Sequence, residues 1–268
     1  MLRAELRSVA FLSAMPSERK PIVRLLHLTR RAVTNHGVPN RGGAFTDESN
    51  DGLILGNGCT HSATVNGVSV TAGHTGIGTA NAYRVTTAVI GATHPDLVVV
   101  VGVAGGIDRA WRIGSVVTPS GCTNHATGIS LSPTAWPDID PHGRLLTTDD
   151  FITDPTELRA LAADGFVAVD METSAIAQAC SDGAVPWLAF RGISDDVFDP
   201  TVDDRVAELT KPDGAPHFGR VASFLASDPR RVGLLRRLAR DLDLATRAAS
   251  DAAVAAVFGP LAQTPSPR

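Results

Sequence analysis

Five consecutive apolar residues, Leu97 to Val101 in "PDLVVVVGVAGG", constrain this chain more than any other feature. A short β-branched run bounded by Pro and Gly reads as a strand buried on both faces. Strands of that kind belong to parallel sheets with helices packed on either side. The expected class is therefore α/β. The glycine-rich residues from Gly102 to Gly106 read as a turn in which backbone approaches something closely.

The rest of the chain alternates in the same way. "SVAFLSAM" reads as a first strand, followed by a helix in "PSERKPIVRLLHLTRRAV", where Ile22, Val23, Leu25, Leu26 and Val33 keep a mostly helical period. Pro16 and Pro21 fit only its first turns. Residues 34–51, dense in Gly, Asn and Asp, read as a long loop. "ILGNGCTHSATV" and "VSVTAGH" flank an Asn66-Gly67 hairpin signal, and "TGIGTANAYRVTTAVIGA" is a helix of small residues. "IGSVVTPSG" and "GFVAVDM" are further strands, and "VPWLAFRGISDD" is a strand running into a helix cap. At the C-terminal end, Val232, Leu235, Leu238, Leu242 and Leu244 recur at near-helical spacing, which predicts a surface helix covering the sheet. One domain is expected over 1–268, with a mainly parallel central sheet flanked by helices: a core over 8–225, a helix over 229–258 and a tail over 259–268.

Bulk properties exclude several classes. Hydrophobic residues make up 43% and charged residues 19%, the balance of a globular core, and a formal charge of −4 gives no global attraction to nucleic acid or anionic membrane. No apolar run approaches the roughly 20 residues of a membrane span. The first residues, with an acid inside a basic region and a very short apolar stretch, make a poor signal peptide, so a cytoplasmic location is expected. The three cysteines, Cys59, Cys122 and Cys180, form no C-x-x-C. Cys122 and His125 have ligand-like spacing but no second half-site, so neither a metal nor a cofactor is expected.

The chemistry collects at strand ends, where open α/β sheets bind ligands. Glu18 follows the first strand, the glycine run follows the strand from Leu97, Glu172 ends "VDME" and Asp195 ends "RGISD". Each has a plain structural account. Glu18 is an early-turn helix acid, and Ser194-Asp195-Asp196 makes a good helix start, a cap worth about 0.5–2 kcal/mol. Glu172 is harder to dismiss, because a carboxylate directly after a buried strand is costly to desolvate without a partner.

The ordered set "AMPSE", "TGIG", "VVGVAGGI", "GSVVTPS", "DDFI", "AVDMETSAIAQAC" and "VPWLAFRGISDD" resembles the nucleoside phosphorylase and nucleosidase superfamily, and within it the methylthioadenosine/S-adenosylhomocysteine nucleosidases. The resemblance implies hydrolysis of a purine 5′-modified ribonucleoside, with adenine the first expectation and a 6-oxopurine also compatible with Asp195. It casts Glu18 as the group orienting the attacking water and Asp195 as the acid at the leaving purine. Glu172 would hold ribose hydroxyls, with Met171 beneath the sugar and Asp170 beside it. Phe151 would stack on the base and the Ile152 backbone would read its edge. Arg191 and Ser194 would support Asp195, and Met15, Gly76, Ala104 and Gly105 would line the same pocket. It also implies a homodimer.

These residue types suit that chemistry independently. Cleavage of an N-riboside passes through an oxocarbenium-like sugar, which carboxylate hydrogen bonds to ribose stabilise as charge develops. A positioned acid and a positioned base are each worth about 10²–10⁴-fold.

Phosphorolysis on the same fold is the nearest alternative, since phosphate needs a nest of guanidinium and amide donors. The first loop here, "AMPSERK", carries Glu18 in its place, and "AGHTGIG" has no arginine, which favours water. Arg19, Lys20 and Arg84 read as solvated helix cations, a displaced phosphate site being the other reading. The 5′ side departs from the resemblance: "GCTNHATGISLSPTAWPDIDPHGR" keeps His125 but lacks most of the expected aromatics, Trp136 reads either as a substitute or as the cap of an edge strand, and Asp170 stands where Glu is usual. The 5′ group is thus open, a futalosine-type substituent included. A noncatalytic nucleoside-binding module is the other alternative. "GIGTAN" lacks the third glycine of a dinucleotide fingerprint, and no G-x-S-x-G elbow is present.

Overall fold

A computed structural model describes residues 5–30, 60–108, 110–150, 152, 154–196 and 231–259. Its strands are β1 (Ser8–Ser13), β2 (Thr29–Arg30), β3 (His61–Val65), β4 (Val68–His74), β5 (Leu97–Gly106), β6 (Val116–Val117), β7 (Gly121–Asn124), β8 (Ser130–Leu131), β9 (Arg144–Thr147), β10 (Phe166–Asp170) and β11 (Trp187–Asp196). Its helices are α1 (Pro16–Leu25), α2 (Thr79–Thr93), α3 (Pro155–Ala163), α4 (Thr173–Asp182) and α5 (Arg231–Phe258). Among the described residues, no helix is long and apolar enough to cross a membrane.

β5 is the axis of the molecule. It lies parallel between β1 and β11, and β4 extends the parallel ladder beyond β1. Alternate side chains enter two cores. Leu12, Val98 and Val100 pack with Ala82, Val85 and Val89 of α2 and Ile176 of α4. Phe11, Leu97, Val99 and Val101 pack with Ile22 of α1 and Ala249, Ala253 and Val257 of α5. Burial on both faces is why the strand could be an unbroken apolar run. Past this parallel centre the sheet is mixed. β9 pairs in parallel with β7 and β10, but β10 runs antiparallel to the end of β5, with Val169 opposite Gly105. That reversal decides where the β10 acids point. The Asn66-Gly67 hairpin forms as expected, both residues having positive φ, as a two-residue turn of this kind requires.

Four expectations are corrected. The helix after β1 stops at Leu25 instead of reaching Val33: His27 adopts φ 49° and the Leu28 N–H bonds back to the Val23 carbonyl at 2.9 Å, a left-handed termination. Gly102 to Gly106 continue β5 and make no turn. Ser194 to Asp196 complete β11 instead of opening a helix. On α5 the leucine stripe is not the most buried face, Leu235, Leu238 and Leu242 being half-buried and Leu244 51% exposed; Ala245, Ala249, Ala253, Val254 and Val257 are buried. Their small size lets α5 come so close to β11 that a Cβ on Gly192 would stand 2.2 Å from the Ala245 carbonyl oxygen. Trp136 is buried and its indole N–H donates to the Ala256 carbonyl at 2.9 Å, so it clamps the end of α5.

Candidate active site

Three strand ends deliver acids toward the middle of β5. After β1, Pro16 opens α1 and places Glu18 in its first turn, where Oε2 accepts the Met15 N–H at 2.8 Å. The plain capping role is therefore real. Yet Oε1 reaches across to accept the Val103 N–H at 2.9 Å, so the side chain also bridges α1 to β5. Because β10 runs against β5, its carboxyl end returns toward Gly102 and Val103, bringing Asp170 and Glu172 with it. Glu172 accepts the Gly78 N–H at 3.1 Å through Oε1 and Arg191 Nη2 at 3.0 Å through Oε2.

Arg191 is the hub. It lies opposite Gly102 in the β5–β11 register and is fully buried. Its Nε donates to Asp170 Oδ2 at 2.7 Å, and its Nη2 contacts both Asp170 and Glu172. Only glycine fits opposite: a Cβ on Gly102 would sit 2.4 Å from Arg191 Nη1 and 2.7 Å from Glu18 Oε1. Nη1 itself is buried without a hydrogen-bond partner, a donor left over beside Glu18. Burial alone would lower the Arg191 pKa, but Asp170, Glu172 and Glu18 outweigh it and raise it. Asp170 also accepts from Thr147 Oγ1 at 2.7 Å, from Thr173 Oγ1, and from the Glu172 and Thr173 amides at 3.3 Å, so both its oxygens serve to hold Arg191 and the start of α4.

Three carboxylates thus surround one guanidinium out of contact with water. Burial pushes the Glu172 carboxyl up to about 8, against the pull of Arg191 and with a further push from Asp170 and Glu18. Burial likewise raises Glu18, opposed by Arg191 and by the Val103 and Met15 amides.

Asp195 approaches by a different device. The β11 register to β5 slips between Ile193 and Asp195, making Ser194 a bulge residue, and Asp195 stands opposite Gly105 with Ser194 Oγ donating to its Oδ1 at 2.5 Å. A bulge re-aims the side chains beside it. Arg191, expected to support Asp195, gives its hydrogen bonds to Asp170 and Glu172 instead.

The remaining expected residues fall around this cluster. Gly76, at φ 81°, ties to the Ala14 carbonyl through its N–H at 3.0 Å, joining the α2 approach to the end of β1. Met15 and Met171 are half-buried, Ala104 lies in the core, and Gly105 stands between Val169 and Asp195. Ile152 packs against the group formed by Ile107, Leu146, Leu158 and Phe166. Phe151 lies outside the described residues, as do Cys59 and the loop over 34–51. Arg19 is no solvated cation: Nη1 lies 2.9 Å from His74 Nδ1, and since arginine only donates, the imidazole carries its proton on Nε2. Cys122 is buried with its thiol pushed up to about 12, chiefly by burial, while His125 is exposed near Glu157, so the two do not form a ligand pair. Among the described residues no group of His, Cys, Asp and Glu could hold a metal ion. Gly78, Val103, Thr147, Thr173 and Asp149 were not singled out from sequence, although each bonds within the site or at its edge.

An α/β sheet that gathers acids at its strand ends is a scaffold for small-molecule chemistry. The comparison with known proteins makes the class specific. A family model described as the phosphorylase superfamily matches residues 8–142 and 139–212, and the chain belongs to that family. A 5′-methylthioadenosine/S-adenosylhomocysteine nucleosidase of Exiguobacterium sp. is 31% identical over 150 residues, covering 45% of this chain and 64% of the relative. The chain thus spans a little under two thirds of the curated relatives' length. Among solved structures, an Arabidopsis thaliana 5′-methylthioadenosine nucleosidase in apo form superposes with TM-score 0.66 at 19% identity, covering 97% of this chain and 98% of the other. A Helicobacter pylori futalosine hydrolase superposes with TM-score 0.63 at 16% identity, covering 91% and 94%. At such identities these two likenesses speak for the fold.

Proposed function

We propose that this chain is a purine nucleosidase, hydrolysing the N-glycosidic bond of a 5′-modified purine ribonucleoside, adenine being the favoured base. The observation that carries this reading is the pair Glu18 and Glu172, held dry around Arg191 at the strand ends. Two ionisable acids kept from water beside a spare buried donor are expensive to maintain for packing alone. The nucleosidase relatives support the same reading.

Glu172 receives the ribose hydroxyls, and its hydrogen bonds to them strengthen as positive charge develops on the sugar while the bond from C1′ to the purine nitrogen breaks. Asp195 gives a proton to the departing purine. Glu18 orients water and takes its proton as the oxygen bonds to C1′. Met171 lies beneath the sugar, Phe151 and Ile152 meet the base, and Met15, Gly76, Ala104 and Gly105 line the pocket between. Asp170 and Ser194 act by holding Arg191 and Asp195. Water is favoured over phosphate because the segment after β1 brings the acid Glu18 to the site, and Arg19 already faces His74. We carry forward a cytoplasmic homodimer as the working form, which sedimentation would check.

The test is chromatographic detection of free base from a panel of 5′-modified adenosines and inosines, with and without phosphate. Base and free sugar without phosphate is the expected result, and the panel ranks the 5′ groups. A sugar 1-phosphate formed only with phosphate would reassign the nucleophile. No release from any member would move the noncatalytic binding module to the front.

A further inference from the structure

α2 begins without a cap of its own. Its N-cap residue is Gly78, at φ 94°, with no side-chain cap bond and no acid in the first turn. The missing acceptors come from two other elements. Glu172, following β10, takes the Gly78 N–H at 3.1 Å. Asp149, following β9, takes the next amide, Thr79 N–H, at 2.7 Å through Oδ1, and its Oδ2 accepts the Thr79 hydroxyl. The Asp149 segment is itself fixed, the Thr148 N–H donating to the Asp170 carbonyl at 2.9 Å and the Asp150 N–H to Thr148 Oγ1 at 3.2 Å. Consecutive amides of one glycine turn are therefore held by two carboxylates, one of them the proposed ribose ligand.

We propose that Asp149 is a positioning residue for the ribose site: by clamping Thr79 it holds the Gly78 N–H against Glu172 Oε1, so that this bond and the Arg191 bond at Oε2 together fix how the carboxyl group is presented. The inference rests on the nucleosidase reading for its consequence in turnover. The physical reason is the glycine. At φ 94° Gly78 has no side chain to restrict it, so losing the Thr79 clamp leaves its N–H free to swing away from Glu172. Loss of that anchor misplaces the carboxylate, and a misplacement near 1 Å costs on the order of 10²-fold in rate. Asp149 is exposed and spends both oxygens on Thr79, so its effect on the site passes through Gly78 and Glu172.

Two variants separate clamp from charge. Asp149→Asn keeps an acceptor for Thr79 N–H, whereas Asp149→Ala keeps none, and both remove the charge. Asp149→Ala is expected to lower kcat/KM about 10- to 100-fold, mainly in kcat, and Asp149→Asn by no more than about threefold. In a Glu172→Ala background Asp149→Ala should cost no more than about threefold further, since its effect passes through Glu172. Equal losses in the Asn and Ala variants, no loss in the Ala variant, or a full loss persisting without Glu172 would overturn the proposal. An independent readout is the titration of Glu172 by carbon-13 NMR of labelled carboxylates. It should lie higher in Asp149→Ala than in Asp149→Asn, because only the former releases the Gly78 hydrogen bond; equal titrations would overturn the proposal. A wild type that releases no base would sink the nucleosidase reading, while the titration would still decide this one.

Discussion

Asp195 and Glu172 reach one site by unlike means: Asp195 by a bulge at Ser194 and Glu172 by the reversal of β10 against β5. Their proposed tasks differ too, and so do the expected losses. Asp195→Asn removes the acid while keeping an acceptor for Ser194 Oγ, so base release should fall by about 10²–10⁴-fold with the melting temperature unchanged. Undiminished release would take Asp195 out of the acid role. Glu172→Gln keeps the shape but puts an amide nitrogen where a carboxyl oxygen meets the ribose, and should raise KM and lower kcat together; unchanged kinetics would return Glu172 to structure alone. Both acids were legible in sequence because each ends a buried strand, where a carboxylate is conspicuous. Asp149 and Gly78 fall inside "DDFI" and "TGIG", but their bonds were not legible. Their bonds to Thr79 and Glu172 span 70 and 94 residues, and an exposed Asp or a lone Gly carries no local mark of such a partner. Arg191 was legible as a site residue but not its partners, which depend on the direction of β10.

At the scale of elements, α5 shows what periodicity can and cannot tell. Near-helical spacing identified a helix, but the leucines did not identify its buried face, because the face is chosen by how closely the backbones can approach. Alanines at 245, 249 and 253 allow the closer fit, and Gly192 on β11 completes it. Gly192→Ala would drive a methyl into the Ala245 carbonyl, a backbone group that cannot rotate aside. Overpacking of this kind costs about 1–3 kcal/mol. Leu244→Ala, at a largely exposed site, should stay within about 0.5 kcal/mol. Chemical denaturation of both variants checks the pair, and a Leu244→Ala loss as large as that of Gly192→Ala would restore the leucine face. The strand class of Leu97 to Val101, by contrast, was plain from sequence because burial on two faces leaves no freedom in residue type. The turn expected at Gly102 failed for a related reason: Gly102 gives room to Arg191 and Glu18, and Gly106 to Ile193, rather than to a change of direction.

For the molecule as a whole, a dry cluster of three carboxylates and one arginine couples folding to pH in an unusual sense. In the unfolded chain Glu172 titrates near its ordinary value of 4.5, while in the fold burial raises it to about 8 despite Arg191. Between those values the folded state holds a proton that the unfolded state has released. Stability must then fall as pH rises through this window, because the folded state binds more protons. Below 4.5 both states are protonated and the contribution is fully present; above about 8 it is gone. Glu18 is shifted in the same direction and acts with the same sign. Most acid-sensitive proteins show the reverse, with paired carboxylates whose folded pKa is depressed. The melting temperature is therefore expected to decline between about pH 5 and pH 8, and Glu172→Gln, which cannot lose a proton, should flatten part of that decline while Glu18 retains the rest. A profile that is flat or rising over this range, and identical in the variant, would mean that Glu172 is ionised in the folded protein at neutral pH. Arg191 would then satisfy it more fully than three acids around one guanidinium suggest.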